Sequence, residues 1–122
     1  MLESEKLSEA LKTLRIAGVF DEYTLQEEIS ELFDVCGFPY SKEARLGPYA
    51  RVDFLVDGRF AVEIKHNSPP RRVLLRQLGR YADSAAVEEL FLVTERSVNL
   101  PERIGGKPLH IIVLNRLWGV AL

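Results

Sequence analysis

The sequence predicts an α/β fold, helices packed against a sheet, with an extra helix at the N-terminus. Three observations carry the prediction. Residues 51–65 hold two apolar runs on either side of Asp57-Gly58, the signature of a β-hairpin. After the loop Ser68-Pro69-Pro70, the residues Leu74, Leu75, Leu78 and Ala82 recur at helical spacing. Leu90–Thr94 and Leu109–Leu114 are short unbroken apolar runs, the pattern of buried strands.

In chain order, Leu7, Ala10, Leu11 and Leu14 mark an amphipathic helix over 3–16, ended by Gly18. Asp21 is placed to cap a second helix over 22–36, stopped at Gly37. Its apolar stripe is Leu25, Ile29, Leu32, Phe33 and Cys36, which puts Cys36 in the core. Residues 38–46 form a first strand, and Gly47-Pro48 a turn. The hairpin follows, then a helix over 71–83 begun by the prolines. Residues 99–108 read as irregular, between the strands 90–94 and 109–114. The tail Leu117–Leu122 is apolar and is expected to pack on the core or on another subunit.

Hydrophobic patterning selects the register of the hairpin. A two-residue turn would pair Asp53 with Val62 and leave Asp53 and Glu63 on opposite faces. A three-residue loop pairs Val56 with Phe60, Phe54 with Val62 and Val52 with Ile64, and makes one face wholly apolar. The other face then carries Asp53, Leu55, Ala61, Glu63 and Lys65, with Asp53 opposite Glu63. Two carboxylates and an ammonium on one sheet face are costly as core, and suit a hard cation and a phosphate.

This ordered set resembles the PD-(D/E)XK nuclease superfamily, whose pattern is a helical acid, an Asp on one strand and Glu-x-Lys on the next. Gln77-Leu78-Gly79-Arg80-Tyr81 is similar to the Gln-x-x-x-Tyr element of RecB-type nucleases. Val52 stands where the family name implies Pro. The resemblance spans residues 22–94. It implies a restriction-endonuclease-like αβββαβ core, a mixed central sheet flanked by helices, and one nuclease-like domain over 1–122. Asp53 and Glu63 are the expected carboxylate ligands of Mg²⁺ or Mn²⁺. The main-chain carbonyl of Ile64 is a third ligand by resemblance. Lys65 would orient or deprotonate water, or stabilise the charged transition state. By resemblance Gln77 sits near the active site and Tyr81 contacts the nucleic-acid strand. Glu22 is the first choice for the helical acid, lying near the middle of the apolar stripe; Glu28 is second and Glu43 a further candidate. Arg72, Arg76 and Arg80 recur at four-residue steps opposite the buried stripe, as a phosphate-holding row or a solvated face. His66 reads as loop-facing and His110 as structural.

Composition narrows the rest. A chain of 122 residues with 47% hydrophobic and 28% charged residues has room for one modest core. No apolar run approaches a membrane span, and the acidic N-terminus is unlike a signal peptide, so an intracellular, cytoplasmic location is expected. The single cysteine excludes an intramolecular disulfide and an all-cysteine iron–sulfur site within one chain. A net charge of -2 leaves a local basic patch as the electrostatic route to DNA. The expected function is a metal-dependent DNA nuclease, with homodimerisation through the apolar tail as a source of added binding surface. The alternatives are an inactive nucleic-acid-binding or assembly module that keeps the fold, and an interaction domain with no nucleic-acid role.

Overall fold

A computed structural model of the chain describes residues 1–16, 21–67 and 69–116. The expected stop at Gly18, Ser68 of the expected loop and the apolar tail Leu117–Leu122 lie outside them. The elements run α1 (Ser4–Lys12), β1 (Arg15–Ile16), α2 (Glu22–Cys36), β2 (Tyr40–Gly47), β3 (Ala50–Val56), β4 (Phe60–Lys65), α3 (Arg71–Ala82), β5 (Glu89–Thr94), β6 (Arg103–Ile104), β7 (Lys107–Val113) and β8 (Asn115–Arg116). The fold is α/β, with a mixed six-stranded sheet in the order β2-β3-β4-β5-β7-β6 and a short parallel pair β1-β8. β2, β3 and β4 run antiparallel, while β4, β5 and β7 are parallel.

The helices cover both faces. Leu7 and Leu11 of α1 and Leu25, Ile29 and Phe33 of α2 pack with Phe54, Val56, Phe60, Val62, Ile64, Phe91 and Val93. Leu74, Leu78, Tyr81 and Ala82 of α3 pack with Val52, Ala61, Leu90 and Leu92 on the other face. Removing an aliphatic side chain from either layer would cost roughly 2–5 kcal/mol through lost burial and the cavity left behind.

Local chemistry explains the element ends. Asp21 caps α2, its side chain accepting from the Thr24 amide at 2.7 Å, and Gly37 closes the helix in the left-handed conformation at φ 74°. Phe33 meets the Phe54 and Tyr40 rings with centroids 5.4 Å away in each case, fixing α2 across β2 and β3. The hairpin takes the three-residue loop, with Val56↔Phe60, Leu55↔Ala61 and Phe54↔Val62 as partners.

Five expectations are corrected here. The first helix ends at Lys12, because Thr13 and Leu14 close it with bonds to Ala10 and Leu11 carbonyls and the chain then enters β1. Val52 does not join the Phe54 face: it packs under α3 while Ile64 packs under α1 and α2, so the apolar face is not continuous through the expected Val52–Ile64 pair. Cys36 is exposed, since the buried line of α2 runs through Leu25, Ile29, Ser30 and Phe33 and leaves its last turn uncovered. The irregular stretch 99–108 contains β6, joined to β7 by Gly105-Gly106 at φ 58° and 78°. Both central residues of such a two-residue hairpin need positive φ, which glycine supplies without strain. β7, expected as a buried strand, is only partly covered: Leu109 and Ile112 are buried, Val113 is exposed and its other residues are half-buried.

Candidate active site

The site forms where β3 and β4 part. Beyond the Phe54–Val62 pair, side chains replace ladder partners: the Ile64 amide donates to Asp53 Oδ2 at 2.8 Å, and the Asp53 amide donates to Glu63 Oε1 at 3.2 Å. The two carboxylates thus satisfy the backbone groups that the diverging strands leave over. Gln26 of α2 donates to Asp53 Oδ1 at 3.1 Å, and Gln77 of α3 donates to Glu63 Oε2 at 3.0 Å. Lys65 Nζ lies 3.1 Å from Glu63 Oε2. Helices from both layers therefore reach into one fork.

A second line of bonds runs away from Glu63. Gln77 Nε2 also donates to the Tyr81 hydroxyl at 2.9 Å, and that hydroxyl donates to the Arg51 carbonyl at 3.1 Å. Tyr81 is only 1% exposed, so it is a buried strut and not the strand contact expected from the sequence. The helical spacing that places Gln77 and Tyr81 on one line also turns that line toward the sheet. Glu22, at the start of α2, accepts from the His66 amide at 3.1 Å, just past Lys65 at the end of β4. His66 Nδ1 lies 3.1 Å from Glu95 Oε2. His66, Asn67, Glu95 and Arg96 border a hollow of about 310 Å³ beside these strand ends.

Electrostatics follow from burial. Glu63 is 4% exposed, and its carboxyl is pushed up to about 7, chiefly by burial and next by the Asp53 charge, with Lys65 pulling the other way. Burial likewise raises Asp53 above the usual carboxylate range, opposed by the Ile64 amide and by Lys65. Burial and then the Glu63 charge raise the Tyr81 phenol, which stays protonated and able to donate. One half-buried and one buried carboxylate lie beside one ammonium, and burial favours their protonated forms.

The sequence-derived residues divide by place. Asp53, Glu63, Lys65 and Gln77 meet in the fork, the Ile64 amide joins them, and Glu22 stands at its edge. Glu28 and Glu43 are exposed and make no hydrogen bond or ion pair among the described residues. Glu43 also adopts φ 47° within β2 and is absent from the β2–β3 partner register. Arg72, Arg76 and Arg80 are exposed along α3, outside the bond network of the fork. His110 is half-buried, 2.6 Å from Glu89 Oε1 and stacked on Phe91. Gln26 was missed. It lies one turn after Glu22 and beside the buried Leu25, a position where a polar side chain on an inward line needs a partner.

Among the described residues, no three or more His, Cys, Asp or Glu side chains gather into a metal-binding cluster. Mg²⁺ does not require one, since it keeps several waters and is commonly held by one or two carboxylates. The fork offers oxygen donors of that kind in the Asp53 and Glu63 carboxylates. Among the same residues no helix is long and apolar enough to cross a membrane. Comparison with protein-family models, curated proteins and solved structures returned no match.

Proposed function

We propose that the chain is a metal-dependent DNA nuclease that hydrolyses phosphodiester bonds, built on the restriction-endonuclease-like αβββαβ core. The observation that carries the reading is the juxtaposition of Asp53 and Glu63 in the strand fork with Lys65 Nζ 3.1 Å from Glu63 Oε2. Asp53 and Glu63 would hold Mg²⁺ or Mn²⁺, with the Ile64 carbonyl as a further oxygen ligand. When bound, the cation supplies positive charge that polarises the phosphate and acidifies water.

The chain's own groups do the rest. Lys65, half-buried at the end of β4 and held as an ammonium against Glu63, orients the attacking water by donating to it, and its charge offsets that of the pentacoordinate phosphorus. Gln77 holds Glu63 Oε2 in place, and Gln26 does the same for Asp53 Oδ1. Glu22 sits where it can order a water next to Lys65, its Oε1 anchored by the His66 amide.

A second reading, an inactive nucleic-acid-binding or assembly module, is favoured by one observation. All four carboxylate oxygens of Asp53 and Glu63 already accept hydrogen bonds from the chain. Such a closed network holds the fork without a cation. The deciding experiment incubates linear, nicked, branched and single-stranded DNA with Mg²⁺ or Mn²⁺ and maps the cuts, with Asp53→Asn as control. Cuts that require both metal and Asp53 support the nuclease. DNA binding without any cut favours the module.

A further inference from the structure

Arg45 and Arg51 are direct cross-strand partners between β2 and β3, and both are exposed. Like charges directly opposite one another destabilise a ladder. Among the described residues, neither guanidinium is ion-paired with a carboxylate. Arg45 Nη1 lies 3.5 Å from the Pro48 carbonyl, and the Arg51 side chain makes no hydrogen bond or ion pair among the described residues.

The face they occupy is fixed by their neighbours. Ala44, Leu46, Ala50 and Val52 pack toward α3. Alternation along the strands puts Arg45 and Arg51 on the opposite side. Asp53 follows Arg51 by two residues and is turned to that same side, where Gln26 of α2 meets it. The Arg51 backbone therefore stands about 7 Å along the strand from that of Asp53. The main chain at this point is also tied to the fork: the Arg51 carbonyl accepts from Tyr81, Tyr81 accepts from Gln77, and Gln77 donates to Glu63.

We propose that Arg45 and Arg51 form a clamp for a backbone phosphate of the nucleic-acid strand, adjacent to the phosphate that enters the Asp53–Glu63 fork. The clamp rests on the nuclease reading and names the strand's path: over the β2–β3 hairpin on the α2 side, not along the arginine row of α3. Two arginines on paired strand positions can bring their guanidiniums to the oxygens of one phosphate, and the anion removes the repulsion that the bare ladder carries. The contact positions the strand without reading its sequence.

The test compares the full chain with its Arg45→Ala/Arg51→Ala and Arg45→Lys/Arg51→Lys variants. Binding of labelled single-stranded and duplex DNA is measured in Ca²⁺ over a salt series, alongside thermal melts. The alanine variant should bind at least about tenfold more weakly, with a salt slope shallower by about one counterion per phosphate lost. Its melting temperature should hold or rise, because the repulsion is gone. The lysine variant should keep most of the slope and part of the affinity. An unchanged slope in the alanine variant, with the unmodified chain binding DNA, overturns the clamp and leaves the nuclease reading standing. A fall in melting temperature also overturns it, by giving the pair a structural role. An unmodified chain that neither binds nor cuts DNA overturns both.

Discussion

At the residue scale, Glu63 decides most. Its carboxyl ionises near 4.5 when free and is pushed up to about 7 in the fold. Between those values the folded chain holds more protons than the unfolded one. The stability this contributes is fully present below about 4.5 and is lost as pH rises through about 7. Asp53, also raised, acts in the same direction. In chelator, the urea midpoint should therefore fall across that window, and Glu63→Gln should flatten the fall. A midpoint that rises with pH there would show that Glu63 is not held as described. Lys65 faces a different test. If it orients water or offsets charge, Lys65→Ala should cut turnover by about 10²-fold or more while folding is kept. Full activity in that variant would end its assignment.

At the element scale, α2 sets which acid reaches the site. Glu22 meets the end of β4 through the His66 amide, whereas Glu28 is exposed on the same helix away from the fork. Glu22→Gln should lower cleavage strongly with little change in melting temperature, and Glu28→Gln much less. Equal rates for the two would remove Glu22 from the mechanism. The β6–β7 hairpin offers a purely structural prediction. Gly105 has φ 58°, and a Cβ there would meet the Ala82 Cβ at 3.1 Å. Gly105→Ala should destabilise by roughly 1–3 kcal/mol, combining the left-handed penalty with the close contact. Gly106 has open space around it, so Gly106→Ala carries the backbone penalty alone and should cost less. Urea unfolding of the two variants separates them.

At the scale of the whole molecule, helices on both faces of one sheet send polar side chains to the seam between β3 and β4. α2 brings Gln26 from one face and α3 brings Gln77 from the other. A cation bound in that seam would bind the folded state only, and at a hundredfold excess over its Kd would add about 2.7 kcal/mol. Mg²⁺ or Mn²⁺ should therefore raise the melting temperature of the unmodified chain above pH 7, and not that of Asp53→Asn. Equal shifts in both proteins would point to binding elsewhere.

The local parts are legible in the order of residues. Asp21 and Gly37 set the ends of α2, because a cap and a left-handed stop act within a turn of helix. The alternation around Asp57-Gly58 set the hairpin register from Val56–Phe60 to Phe54–Val62, because one slip would flip every side chain. It also brought Asp53, Glu63 and Lys65 into one neighbourhood, but not onto the single face expected: Asp53 meets Gln26 on the α2 side and Glu63 meets Gln77 of α3, because the ladder ends before they pair. Tertiary structure alone decided what those residues touch. Val52 crosses to the α3 side because the strands part where the Asp53 and Glu63 carboxylates take over backbone amides, and period-two patterning assumes an unbroken ladder. Tyr81 turns inward, and Gln26 becomes a partner of Asp53, because the rotation of a helix about its axis is fixed by packing against a sheet distant in sequence. Arg45 and Arg51 come side by side for the same reason: their pairing belongs to the β2–β3 ladder, and no spacing along the chain marks it.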